Sequence, residues 1–458
     1  MLSHGLAAAS SKKGEDAPAA RPPTSPTTPG AYAIFDGHGG RFFSHICAHY
    51  TEAGIDYGSE HDVLAKLLAA GGGVLPSDAD VDQIFWSTDA DVGALLAGAA
   101  ERNLGGCTAQ ILMALPVGGG LQLLQAWVGD STALTVDMRS GRVVSATFDH
   151  NPDELAEKGA EAAPLMHMAA VNKLCRKRQK KERKKERKRE AREARKAAEA
   201  AGGGMGGEAA PAPAEQDQAA EADMDDDDDK DDDDDKEADD DADAAEGGKK
   251  EKEDEADFPC PSAALIREVL VQMGHTDTSD AHVAALHRAF ERERLVCQYL
   301  PSGGKYRRSC HIYRRPMEKD PNMPMTVHKT ADPFRGHHGD MMMTRSLGDW
   351  KHVSWILPRP QIARTSVRPT DHWRVVLASD GLWDVVSHEQ AASLTRGAET
   401  CQEAAEALVS AAKHVYLSER GLELPGDDTT VLVVDLNPSL RPFAPPQEGG
   451  AGCGCTIS

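Results

Sequence analysis

The chain has 458 residues, of which 40% are hydrophobic, and a formal net charge of −23. Most of this charge lies in residues 207–257, which hold about 26 acidic residues against about 5 lysines. This segment, and the charged, alanine-rich residues that precede it from position 173, cannot bury a hydrophobic core. The net charge therefore comes mainly from this segment and not from the surface of a folded domain. The composition also predicts fewer folded domains than the length alone suggests.

The nine cysteines are scattered, without the paired spacing of a zinc site or of a small disulfide framework. No apolar segment opens the chain, and no run approaches the roughly 18 apolar residues that cross a bilayer. We therefore expect a reducing, intracellular location in the cytoplasm, with the nucleus as an alternative. Any membrane contact would come from the protein surface or from a lipid.

Residues 1–30 are small, polar and rich in proline, which predicts a flexible N-terminal arm. From Tyr32 onward the pattern becomes globular. Three helices are predicted in RFFSHICAHY, HDVLAKLLAA and DVDQIFWSTDADVGALLA. Four strands follow in GCTAQILMAL, LQLLQAWVGD, STALTVDM and RVVSATFD, and such a series predicts an antiparallel meander.

A long insertion, residues 166–324, is predicted to interrupt one domain formed by residues 31–165 and 325–437. It comprises a basic helix at 173–200, a disordered acidic linker at 201–257 and a helical segment at 261–297. After it, WRVVLAS predicts a strand, Ser387 and Gln390 form a capping box for the next helix, and TTVLVVDL predicts the last strand. The pattern indicates an α+β fold with a tail at 438–458.

Acid-glycine turns recur where apolar strands end. They are IFDGHGG with Asp36, AWVGDS with Asp130, TRSLGD with Asp349, VVLASDGLWD with Asp380 and Asp384, and PGDDTT with Asp427 and Asp428. One such turn alone is ordinary, since aspartate and glycine both favour turns. If a sheet gathers five of them, the carboxylates repel one another unless cations lie between them. Oxygen ligands of this kind suit magnesium or manganese, and two such ions suit phosphoester hydrolysis.

In this order, FDGHGG, GCTA, VGDS, DHNP, TRSLGD, ASDGLWD and DDTT resemble the motifs of the metal-dependent 2C-type serine/threonine protein phosphatases. The opening SSKKGED resembles the N-terminal motif of a plant-like subgroup. The resemblance covers residues 10 to about 160 and 330–437. It implies a β-sandwich of two antiparallel sheets flanked by helices, with two Mn²⁺ or Mg²⁺ ions that activate a bridging water to hydrolyse phosphoserine and phosphothreonine in phosphoprotein substrates.

The resemblance also implies roles for individual residues. Asp36 would bridge both ions, the carbonyl of Gly37 would bind one, and Asp349 and Asp380 would complete the ligand set. The remaining roles are Asp427 as a supporting ligand, Asp16 as an added carboxylate, Asp130 as a ligand of a third, weaker ion, and His38 as the general acid for the departing oxygen. A histidine that merely fills a turn is the alternative for His38.

The sequence departs from the family in two places. Lys12 and Lys13 stand where most members have a phosphate-binding arginine, and lysine attracts phosphate without the bidentate grip of arginine. The proline-rich linker between Asp16 and Ala31 replaces a strand or hairpin, which predicts a sheet short by one strand. The missing arginine favours a rival hypothesis, a catalytically weak phosphatase fold that acts as a scaffold for phosphoproteins.

The insertion and the tail suggest further interactions. The basic run at 176–196 fits a solvated helix, a nuclear address or a nucleic-acid contact, but no aromatic residues are interleaved for base stacking, so nucleic acid is not expected.

The final residues CTIS place Cys455 in a prenylation motif, and Cys453 is a candidate for palmitoylation. The tail predicts a lipid-mediated membrane association. We expect the protein to be a monomer.

Overall fold

The computed structural model describes residues 2–11, 13–50, 59–97, 105–150, 163–201, 260–275, 277–299, 313–314, 328–329, 343–350, 356–419, 421 and 425–436. The chain divides into two compact units, one of residues 1–175 with 259–458 and one of residues 176–258. The first unit contains both large sheets. The second contains the basic part of a long helix.

Two five-stranded antiparallel sheets form the first unit. The strands of sheet A are β1 (Leu2–Ala9), β8 (Thr132–Asp137), β9 (Val143–Ala146), β14 (Trp373–Ala378) and β15 (Thr429–Leu436). Those of sheet B are β2 (Ala17–Arg21), β3 (Gly30–Phe35), β6 (Ala109–Val117), β7 (Gly120–Val128) and β13 (Gln361–Val367). Sheet A has the strand order β1-β15-β14-β8-β9, and sheet B has the order β13-β7-β6-β3-β2. Strands β10 (Tyr313–Arg314) and β11 (His328–Lys329) form a separate two-stranded sheet.

The sheets face each other across one apolar cluster, to which β3 of sheet B contributes Tyr32 and Ile34 and β15 of sheet A contributes Leu432 and Val434. The opposite faces are covered by helices. This arrangement buries both faces of the central strands, which explains why they read as continuous apolar runs rather than as alternating ones. The predicted α+β sandwich is confirmed.

Helices cover each outer face of the sandwich. On sheet B lie α1 (Phe42–Ala48), α2 (Val63–Gly71) and α3 (Asp78–Ala97), and on sheet A lie α8 (His388–Gly397) and α9 (Cys401–His414). The remaining helices are α4 (Ala163–Ala201), α5 (Ala263–Gln272), α6 (Asp280–Tyr299) and the short α7 (Asp380–Trp383). The capping box of Ser387 and Gln390 begins α8 as predicted. Among the described helices, none combines the length and the apolar character that spanning a membrane requires.

The prediction of a flexible arm at residues 1–30 is wrong for two stretches. Strand β1 pairs with β15 over its whole length, from Leu2 opposite Leu436 to Ala9 opposite Thr429. Strand β2 pairs with β3 and lies at the edge of sheet B, where a proline such as Pro18 is tolerated because one side of the strand needs no partner. The predicted loss of one strand is therefore wrong, because β2 is present at the edge of sheet B.

The four strands predicted between residues 105 and 146 are present, but they do not form one meander. Strands β6 and β7 pair in sheet B, whereas β8 and β9 pair in sheet A. The chain passes from one sheet to the other at Gly129, Asp130 and Ser131. This crossing places Asp130 at one end of the sandwich.

The helical segment predicted at 261–297 consists of α5 and α6, and it belongs to the same compact unit as the sandwich. Both helices share an apolar cluster with Trp86 of α3 and with Leu357. The basic helix predicted at 173–200 is part of α4, where Arg189 pairs with Glu186 and Glu193 at 3.9 Å each. The acidic linker lies outside the described residues from position 202 onward.

The close approach of β1 to α9 gives a test of the paired N terminus. A Cβ atom added to Gly5 would lie 2.2 Å from the backbone nitrogen of Gln402 and 2.4 Å from the carbonyl carbon of Cys401. We expect Gly5→Ala to lower the free energy of unfolding by about 1–3 kcal/mol, because overpacking against backbone forces the strand or the helix to shift. Urea titration followed by circular dichroism measures the change.

The matched control is Gly397→Ala, since no atom lies within 4 Å of a Cβ at that position. We expect this variant to be as stable as the parent or slightly more stable, because alanine favours helix. A Gly5→Ala variant as stable as the parent would show that β1 is not held against α9.

Candidate metal centre

A small three-stranded sheet at one end of the sandwich joins two of the acid-glycine motifs, FDGHGG and TRSLGD, through the GCTA motif. Its strands are β4 (Gly37–His38), β5 (Gly106–Cys107) and β12 (Leu347–Gly348), with β5 in the middle. Both neighbours pair with the same two residues of β5. The backbone at Gly106 passes so close that an added Cβ would lie 2.5 Å from Asp349 Oδ2. A larger residue there would push Asp349 away, so glycine is required by the geometry.

Asp36 follows the buried strand β3 directly and is fixed through its own backbone. Its N–H donates to Thr108 Oγ1 at 3.1 Å, and its carbonyl accepts from the Thr108 N–H at 2.8 Å. The Thr108 hydroxyl in turn lies 2.6 Å from the Ser131 hydroxyl, beside Asp130. The motifs FDGHGG, GCTA and VGDS are therefore held together by one hydrogen-bonded group.

Four aspartates surround one shared volume. The pKa of Asp36 is raised well above its usual value by burial and by the charges of Asp16, Asp380 and Asp130. Burial and the charges of Asp130, Asp384, Asp427 and Asp16 raise the pKa of Asp380. Two carboxyl groups raise each other's pKa only when they lie close together. The structure therefore brings Asp16, Asp36, Asp130 and Asp380 to one place.

Asp16 contributes a carboxylate with one unsatisfied oxygen. Its Oδ2 accepts a hydrogen bond from the Ser379 hydroxyl at 2.9 Å, whereas its buried Oδ1 has no hydrogen-bond partner among the described residues. Burial is the main cause that raises the pKa of Asp16 to about 6. A buried carboxylate oxygen without a donor is costly, and a cation removes this cost.

His38 and Asp349 form the second part of the site. His38 Nε2 lies 2.7 Å from Asp349 Oδ2, and the Ser346 hydroxyl donates to the same oxygen. Burial lowers the pKa of His38, but the charge of Asp349 and their hydrogen bond outweigh it, so the pKa is raised overall. The charge of Asp130 acts in the same direction, which places His38 beside the four aspartates.

Lys13 and Asp427 pair with each other. Lys13 Nζ lies 2.9 and 2.8 Å from the two carboxylate oxygens of Asp427. The sequence predicts that Lys13 binds the substrate phosphate and that Asp427 supports a metal ion, but here each of these side chains binds the other. Lys12, Cys453 and Cys455 lie outside the described residues. The phosphate-binding role of Lys12 and the lipid sites remain predictions.

Asp428 and Glu15 are structural residues of the site to which the sequence analysis gave no role. The buried Asp428 accepts from the Ser11 N–H at 2.5 Å and from the Glu15 N–H at 2.6 Å. Glu15 in turn accepts from the Gly40 N–H at 2.8 Å. These contacts hold the SSKKGED loop, and with it Asp16, over the site. Their positions in the motifs were visible in the sequence, but their partners were not.

The donor set fits hard divalent cations. Within the described part of the chain, no group of three or more His, Cys, Asp or Glu side chains has the arrangement of a metal-binding site. The mutual repulsion of the four aspartates and the unsatisfied Asp16 Oδ1 both indicate that positive charge belongs among them. Oxygen ligands of this type suit Mn²⁺ or Mg²⁺.

Comparisons with known proteins agree with this site. A family model described as Protein phosphatase 2C matches residues 9–159 and 330–419, together more than half of the chain. "Probable protein phosphatase 2C 12" of Arabidopsis thaliana is 32% identical over 123 residues, which are 26% of this chain and 27% of that protein. "Probable protein phosphatase 2C 33" of Oryza sativa subsp. japonica is 36% identical over 114 residues, 25% of this chain and 24% of that protein.

The matched stretches thus span about a quarter of the length of these curated relatives. Among solved structures, a serine-threonine phosphatase 2C from Toxoplasma gondii has 13% identity and a TM-score of 0.43, with 95% of this chain and 94% of that chain covered. The two blocks matched by the family model contain Asp36, Asp130, Asp349 and Asp380. On this match, the chain belongs to the protein phosphatase 2C family.

Proposed function

We propose that the protein hydrolyses phosphoserine and phosphothreonine in protein substrates and that it depends on Mn²⁺ or Mg²⁺. The proposal rests on the cluster of Asp16, Asp36, Asp130 and Asp380. The pKa values of Asp16, Asp36 and Asp380 are raised, and the charge of Asp130 contributes to the shifts of Asp36 and Asp380, which indicates a site for cations. Membership in the protein phosphatase 2C family supports the same reaction.

The proposed ligands follow from the cluster and from the family motifs. Asp36 and the carbonyl of Gly37 would bind the two ions, Asp349 and Asp380 would complete the set, and Asp16 would add a carboxylate. Asp130 would be a ligand of a third, weaker ion, and Asp427, whose charge acts on Asp380, would support the ligands. When bound, the ions supply a Lewis acid for the phosphoryl oxygens and lower the pKa of the attacking water.

His38 is the proposed general acid. Burial lowers the pKa of His38, but the charge of Asp349 and the contact between its Oδ2 and His38 Nε2 raise it overall, which favours the protonated imidazolium. As the phosphorus–oxygen bond breaks, the imidazolium would give a proton to the departing serine or threonine oxygen. Asp349 thereby orients the imidazole as well as serving as a proposed ligand.

Phosphate binding by Lys13 is the weakest part of the site. The ammonium group is held by Asp427 and lies on the surface, so an incoming phosphate must share it or displace the carboxylate. Weak phosphate binding is the feature that favours the rival function, a scaffold that binds phosphoproteins without hydrolysing them efficiently.

The direct test is phosphate release from a phosphothreonine peptide with and without Mn²⁺. We expect the parent to release phosphate only with the ion, and we expect Asp380→Asn to be about 100-fold slower or more, because metal ligands supply several kcal/mol of transition-state stabilisation. The matched control is Asp78→Asn, which removes a charge at a side chain that is 64% exposed and paired with Arg364. This control should keep the parental rate.

A parent no faster than Asp380→Asn would contradict the enzyme. If that parent also bound the phosphopeptide with measurable affinity, the scaffold would be the better account.

A second prediction concerns the pH dependence of stability without metal. The folded pKa of Asp16 is about 6, above the value of about 3.9 in an unfolded chain, so the folded state holds the extra proton between these values. The contribution of this proton to the free energy of unfolding is fully present below about pH 4 and is lost as the pH rises through about 6. In EDTA, Asp16→Asn should therefore gain stability relative to the parent over this range.

Thermal unfolding at several pH values measures the difference between the two proteins. Saturating Mn²⁺ should reverse it at pH 7, since the ion favours the ionised carboxylate. A difference that stays constant from pH 4 to 7 would show that Asp16 is not confined as the structure places it.

A further inference from the structure

A buried ion pair joins α6 to α3 behind the candidate metal centre. Arg292 Nε lies 2.7 Å from Asp89 Oδ2, and Arg292 Nη2 lies 3.1 Å from Asp89 Oδ1. The side chains are 3% and 1% exposed. The guanidinium group therefore binds the carboxylate through two parallel hydrogen bonds, and both side chains are buried.

The Arg292–Asp89 pair also holds the residue that precedes Asp349. The Gly348 N–H donates to Asp89 Oδ1 at 2.7 Å, and the Gly348 carbonyl accepts from Arg292 Nη2. Both backbone polar groups of Gly348 are thus bound by the same ion pair. The indole N–H of Trp350, on the other side of Asp349, donates to Asp89 Oδ2 at 3.2 Å.

Asp349 needs such support because its backbone is strained. Its φ angle is +54°, in the left-handed region that non-glycine residues seldom adopt. Residues in this region persist when the surrounding structure fixes them. Here the contacts on Gly348 and Trp350 fix the backbone on both sides of Asp349, and the side chain can then reach His38 and Ser346.

Arg292 comes from a part of the chain that the family model does not match. The matched blocks are 9–159 and 330–419, so Asp89 and Gly348 lie within them and α6 lies between them. Arg292 also donates to the Ile356 carbonyl at 2.8 Å, which ties α6 to the chain after the Asp349 turn. The helix is therefore built into the site and is not an appendage of the fold.

From these contacts we infer that Arg292 is a positioning residue for the metal centre. Through Asp89 it holds the Gly348 peptide, and the Gly348 peptide sets the direction of the Asp349 side chain. The inference rests on the proposed function for the role of Asp349. It assigns part of the insertion, the helix α6, to the catalytic machinery as a support for one metal ligand.

Arg288 provides a matched control one helical turn away. It also joins α6 to α3, through Asp82, and Asp82 is its hydrogen-bond partner among the described residues. Its side chain is 37% exposed. Arg288→Met therefore removes an ion pair between the same two helices without touching residues 343–350.

The experiment compares the full chain with Arg292→Met, Arg292→Lys and Arg288→Met. Hydrogen–deuterium exchange of peptides that cover residues 343–350 reports how firmly the turn is held, and calorimetric titration measures the affinity for Mn²⁺. Arg292→Lys keeps the positive charge but loses the forked donor, so it preserves the fold if the methionine variant unfolds.

We expect faster exchange at 343–350 and a loss of about 10- to 100-fold in Mn²⁺ affinity in both Arg292 variants, as for other residues that orient metal ligands. Arg288→Met should match the parent in both measurements. Unchanged exchange at 343–350 in folded Arg292→Lys would overturn the inference, as would faster exchange with unchanged Mn²⁺ affinity.

The two proposals fail in different ways. A parent that binds Mn²⁺ but hydrolyses no phosphopeptide would contradict the proposed function. The Mn²⁺ affinities of the variants would still test the positioning role of Arg292. A parent that binds no Mn²⁺ defeats the metal centre itself, and with it the role given to Arg292, even if the exchange at 343–350 shows that the turn is held.

Discussion

Electrostatic repulsion among aspartates at one end of the sandwich is the constraint that the structure must meet. Burial and mutual charge raise the pKa values of Asp16, Asp36 and Asp380, so the folded chain holds these groups where their ionised forms are unfavourable. Such groups are costly to bury without compensation. Under the proposed function, divalent cations would supply that compensation, which would connect the shape of the fold with a phosphatase reaction.

The rest of the structure holds these side chains in place. Thr108 binds both backbone polar groups of Asp36, and Asp428 holds the loop that carries Asp16. The Arg292–Asp89 pair holds the peptide before Asp349. In each case a polar group fixes the backbone at or beside a proposed ligand. The carboxylate oxygens would then be left to face the proposed ions.

Much of this arrangement could be predicted from the sequence because it depends on local patterns. Apolar runs gave the central strands, Ser387 with Gln390 gave a helix start, and the ordered aspartate turns indicated one metal site. The N-terminal strands were missed because Leu2–Ala9 consists largely of small residues and Ala17–Arg21 contains and precedes proline. The partners of both strands lie elsewhere in the chain. Edge positions tolerate such sequences.

The contacts that no local pattern could reveal are those between distant charged residues. Lys13 meets Asp427, and Arg292 meets Asp89, across separations of 414 and 203 residues. A basic residue in an amphipathic helix is ordinarily a solvated one, so nothing in the pattern around Arg292 distinguishes it from Arg288. Only the packing of α6 against α3 makes one buried and the other half-exposed.

We propose that aspartates from separate motifs hold a pair of divalent cations. Anomalous diffraction from crystals grown with Mn²⁺ would locate each ion independently of the protein chain. We expect two strong peaks within coordination distance of Asp36 and Asp380. Crystals saturated with Mn²⁺ that show no peak between these two carboxylates would contradict it.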